Sequence, residues 1–79
     1  MKVKNLCQNH SANICAQMAL DLHDIKAEWV DSEPADLLIC DAYTNYETVR
    51  SYPATTKLCF DLQHADADKH RGWSNVGWV

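Results

Sequence analysis

A small α/β domain is what the sequence predicts, and three observations carry it. An apolar pattern at helical spacing follows a short apolar N-terminal segment. Leu37-Leu38-Ile39-Cys40, bounded by aspartates, reads as a strand buried on both faces, as in the middle of a parallel sheet. Lys57-Leu58-Cys59-Phe60-Asp61-Leu62 repeats that signature further along. The expected architecture is a two- or three-layer open sheet of about four mostly parallel strands with two helices.

The elements follow in order. Val3 to Cys7 is the first strand. Ala12, Cys15, Met18, Ala19 and Leu22 recur three and four residues apart and predict a helix over 11–23 with this apolar face inward, capped by Ser11 or Asn9. Residues 25–29 alternate apolar and polar, the period of a strand with one wet face. Asp31-Ser32-Glu33-Pro34 is a turn cluster, and 36–41 is the third strand. Thr44 with Glu47 three residues on matches a capping box, opening a short helix that turns Tyr46 and Val49 inward and stops before Pro53. One link resists an all-parallel reading. Only about five residues separate the second and third strands, whereas a parallel crossover takes a dozen or more. Either the second strand is very short and the chain runs back extended, or 25–41 is an antiparallel hairpin in an α+β fold.

The 79 residues form a single domain, 1–79, with 65–79 as a C-terminal tail. A net charge of −4 disfavours nucleic acid and anionic lipid, and no apolar run reaches membrane-spanning length. With no export signal in the reading, the four cysteines are expected reduced in a cytoplasmic protein. No paired zinc spacing is present, so neither a metal nor a cofactor is expected, and His23, His64 and His70 read as solvated.

In open α/β sheets ligands sit at the carboxyl ends of the strands, where the strand order reverses. There Cys7 is the candidate nucleophile, since a helix N-terminus stabilises thiolate. Asn9, His10, Ser11, Asp41 and His64 are the candidate anion-binding residues, and Asp66 and Asp68 the candidate acids. Asn5-Leu6-Cys7-Gln8-Asn9, Ala35-Asp36-Leu37-Leu38-Ile39 and Leu58-Cys59-Phe60-Asp61-Leu62 together resemble the low-molecular-weight tyrosine phosphatase and arsenate reductase family, and likewise the phosphocysteine-bearing IIB domains of sugar phosphotransferase systems. That resemblance implies a phosphate loop after the first strand. The phosphatase signature places an Arg six residues after its Cys, and here that place holds Asn13. IIB loops hold phosphate through backbone N–H groups and favour Gly, Ser and Thr, of which Ser11 alone is present. Asp41 ends its strand as a receiver-domain phosphoacceptor does, yet Gln8-Asn9 replaces the acidic metal ligands, which leaves a loop Asp capping the next turn.

Trp73, Val76 and Trp78 form an apolar tail that either covers the sheet or offers a partner surface, including one for self-association. Asp31, Glu33, Asp36, Asp61, Asp66 and Asp68 read as a solvated acidic rim. The leading functional reading is a non-catalytic protein-binding module, a regulator or inhibitor of the kind a virus or mobile element carries. The alternatives are a cysteine-dependent phosphoryl-transfer protein using Cys7 and an anion- or small-molecule-binding domain.

Overall fold

The structure, a computed structural model, describes residues 1–60 and the backbone of a short strand at 77–78. Its elements run β1 (Lys2–Asn5), α1 (His10–Leu22), β2 (Glu28–Trp29), β3 (Ala35–Asp41), α2 (Tyr46–Ser51), β4 (Ala54–Phe60) and β5 (Gly77–Trp78). All pair in parallel in one sheet of order β2-β1-β3-β4-β5. The α/β expectation holds, with one strand more than the sequence predicts.

The hairpin alternative is overturned. β2 pairs with β1 and not with β3, Glu28 lying beside Lys2 and Trp29 beside Val3. Register explains how so short a link suffices. β3 sets Leu37 opposite Val3, so the chain leaves β2 at the level where β3 is already under way and drops back by only a residue or two. Five extended residues span that with ease.

Alternation along β3 divides the core. Leu37 and Ile39 join Val3, Ala12, Ala16, Leu20 and Phe60 on the α1 side. Leu38 and Cys40 join Val49 and Cys59 on the α2 side. The two helices thus cover opposite faces, which makes three layers. β3 is buried at every position but Asp36, as expected of a central strand.

The inward face of α1 differs from the expected one. Ala12, Ala16 and Leu20 are buried, whereas Cys15, Met18 and Leu22 face solvent. Two alanines in one i, i+4 row let the helix settle close to the strands, and that packing outweighs the larger side chains of the neighbouring row. The helix starts on Asn9, whose Oδ1 accepts from the Ser11 and Ala12 amides at 2.9 and 3.2 Å. It ends in a Schellman-type turn, with Asp24 donating to Asp21 O at 3.1 Å and Ile25 to Leu20 O at 2.9 Å. Asp24 takes the left-handed position at φ 54°, where its short side chain stands in for glycine.

The cap of α2 is Asn45, not Thr44. Asn45 Oδ1 accepts from the Glu47 amide at 2.8 Å and Thr48 at 3.4 Å. At the other end Lys57 Nζ donates to Val49 O and Arg50 O at 2.7 and 3.0 Å, satisfying carbonyls that so short a helix leaves open. β4 starts at Ala54, earlier than the expected 57, because exposed Thr55 and Thr56 hide a strand behind polar side chains. Part of the acidic rim is tied down rather than free. Glu33 and Asp31 pair with Lys2 and Lys4 at 3.1 and 3.5 Å, and Asp36 accepts from the Lys2 amide at 2.9 Å.

Candidate functional site

The sheet brings the loop after β1 beside the end of β3, where the strand order reverses. Cys7, Asn9, His10, Ser11 and Asp41 therefore gather at one edge, as the sequence expects. Their chemistry differs from the expectation. Asp41 is 1% exposed, and its carboxylate fills the place an anionic ligand would take. Oδ2 accepts from the Gln8 and Asn9 amides at 2.7 and 2.6 Å. Oδ1 accepts from the Tyr43 amide at 3.0 Å, the Asx turn expected of a strand-end Asp. Thr44 Oγ1 lies 3.0 Å from that same oxygen and 3.0 Å from Leu6 O, its single proton shared between them, and accepts from the Asp41 amide at 3.2 Å. This is why Thr44 is buried instead of capping α2.

The Cys7, Ser11 and Ala12 amides are engaged as well. Asn5 Oδ1 takes the Cys7 amide at 2.9 Å, and Asn9 Oδ1 takes those of Ser11 and Ala12. Asn13, at the clamp position, accepts through Oδ1 from Asn5 Nδ2 at 2.6 Å and from Gln17 Nε2 at 3.0 Å. It stitches α1 to β1. His10 opens the helix at an exposed position. No buried side-chain nitrogen or oxygen among the described residues lacks a partner.

Cys7 is half-buried against the α1-side core. Burial first, then the Asp41 charge, then Cys59, push its thiol up to about 12. The helix N-terminus favours thiolate, but desolvation and a carboxylate on the loop outweigh it. Cys40, the register partner of Cys59, is also pushed up, foremost by a hydrogen bond with Cys59 and then by burial, and its thiol lies 3.5 Å from Leu58 O. All four cysteines are free, and only Cys15 is exposed.

His64, Asp66, Asp68, Trp73 and Val76 lie outside the described residues, and of Trp78 only the backbone is described, in β5. A groove of about 290 Å³ between α1 and β2, lined by Leu20, Asp21, Ile25, Lys26 and Trp29 among others, lies toward the C-terminal end of α1, whereas Cys7 precedes its N-terminus. Among the described residues no three His, Cys, Asp or Glu side chains gather as a metal site, and no helix is long and apolar enough to cross a membrane. The Asn9 cap was one of two choices the sequence offers. The reach of Asp41 across to the β1 loop has no local signal, because its partners are backbone groups 32 and 33 residues away.

No protein-family model matches this chain, no curated protein matches it in sequence, and no solved structure matches its fold.

Proposed function

We propose that the chain is a non-catalytic protein-binding module, a regulator or inhibitor acting in a reducing, cytoplasmic setting on a phosphatase-like or IIB-like scaffold whose anion loop no longer takes phosphate. One observation carries the proposal: the Asp41 carboxylate holds the Gln8 and Asn9 amides that an anion would need. A phosphoryl group arriving there meets like charge instead of free N–H groups. The thiol beside it is held protonated at neutral pH, so it is a poor nucleophile as well. The unbridged Cys40 and Cys59 on adjacent strands agree with a reducing compartment.

Thiol alkylation tests this. In a Cys15→Ser background, labelling of Cys7 is expected to stay slow through neutral pH, to climb only toward pH 12, and to be indifferent to added phosphate. A Cys7 that titrates below the free-thiol value of about 8.5 and is protected by phosphate supports phosphoryl transfer instead. Hydrolysis of an aryl phosphate that is lost in Cys7→Ser has the same meaning.

A further inference from the structure

The outer face of α1 is a feature the fold leaves unused. Ile14, Met18 and Leu22 are 43, 57 and 81% exposed. Spaced i, i+4, i+8, they form one row on the side of the helix away from Ala12, Ala16 and Leu20. Asp21 is the one Asp, Glu, Lys or Arg between His10 and Leu22, whereas soluble surfaces carry such residues at about one position in four to one in three. An outward row as apolar as the inward one marks a covered face.

Charge identifies the occupant. α1 has no acidic residue in its first turn and no basic residue in its last. Asp21 lies at the negative end of the helix dipole, with Asp24 just beyond, and neither makes an ion pair among the described residues. A second α1 laid antiparallel across the first corrects both ends at once. With the two-fold axis at Met18, Ile14 of each copy meets Leu22 of the other, Asp21 lies opposite Cys15, and each Asp24 comes beside Ala12 in the other copy's first turn, the positive end. The face is complementary to itself, as a two-fold interface must be.

We infer that this chain forms an antiparallel dimer through the Ile14–Met18–Leu22 face of α1. The inference rests on the interaction reading above and names one partner for it. The face is small against a standard interface, so association is expected in about the 10–100 μM range.

Sedimentation of the full chain over a concentration series tests it. The native chain is expected to pass from monomer to dimer. Met18→Lys sets two like charges together on the axis and is expected to weaken association at least about tenfold. Its circular dichroism should be unchanged, because the site is exposed. Leu22→Lys, at the most exposed position of the row, serves as a second variant should the first unfold. Asp24→Asn, which suits the left-handed turn and removes the charge at the dipole contact, should also weaken the dimer. A native chain monomeric at every concentration overturns the inference, as does a dimer indifferent to Met18→Lys and Leu22→Lys. A monomer that instead binds a different protein through α1 overturns the dimer and leaves the interaction reading standing. Phosphate-protected Cys7 chemistry in a chain that dimerises does the reverse.

Discussion

Asp41→Ala is expected to destabilise the domain by about 3–4 kcal/mol, from three orphaned backbone donors at the lower end of about 1–3 kcal/mol each. The Gln8, Asn9 and Tyr43 amides all point at the missing carboxylate. The loss would be large for this chain, since 79 residues at the usual stability per residue give roughly 4–12 kcal/mol in total. Asp41→Asn keeps the shape and an oxygen for the turn at Tyr43, but turns an amide NH₂ toward two other N–H groups, and should cost about 2 kcal/mol. Urea unfolding followed by circular dichroism gives both values. The order Ala worse than Asn worse than native is the expected result, and a loss below about 1 kcal/mol for Asp41→Ala would mean that the carboxylate does not hold the loop.

Leu38→Ala has an effect of similar size with a different origin. Leu38 is wholly buried between β3 and α2. The layer there is thin: Leu38, Cys40, Val49 and Cys59, edged by Leu6, Tyr52 and Ala54, under a helix of six residues. Removing the side chain leaves a cavity that a helix pinned by the Asn45 cap and by Lys57 cannot readily collapse into. A loss of about 3–4 kcal/mol is expected, with an unchanged denaturant slope. Thr55→Ala, at an exposed position of β4, should change stability by less than about 0.5 kcal/mol. Equal effects at the two sites would contradict the three-layer arrangement.

What the sequence reveals of this fold, and what it hides, follows from the range of the interactions. β3 was legible because a strand buried on both faces writes its burial as an unbroken apolar run, Leu37 to Cys40. The Asx turn at Asp41 was legible because it is local, a side chain bonding two residues on. The orientation of α1 was not, since the helix has apolar rows on opposite sides, Ala12-Ala16-Leu20 and Ile14-Met18-Leu22, and only the sheet selects which row it takes. Small Ala12 and Ala16 win over Met18 and Leu22 by closeness of approach, which hydrophobic periodicity does not weigh. Strand pairing at β2 was undecidable for a similar reason: two residues fix its neighbour, and register resolves a link that length alone makes awkward. The edge where Cys7, Asn9 and Asp41 meet could be located from strand ends, but its polarity could not. A carboxylate that serves as ligand to the chain's own amides looks, in one dimension, like one that lines a pocket.

The central claim is that the Gln8 and Asn9 amides already have their anion, supplied from β3. Amide resonances of these two residues, followed during titration with inorganic phosphate, report on it directly. The account predicts that they keep the downfield positions of N–H groups bonded to carboxylate and do not respond beyond the general effect of ionic strength. A saturable shift of Gln8 and Asn9, joined by Ser11 and Cys7, would show phosphate displacing Asp41 and would contradict it.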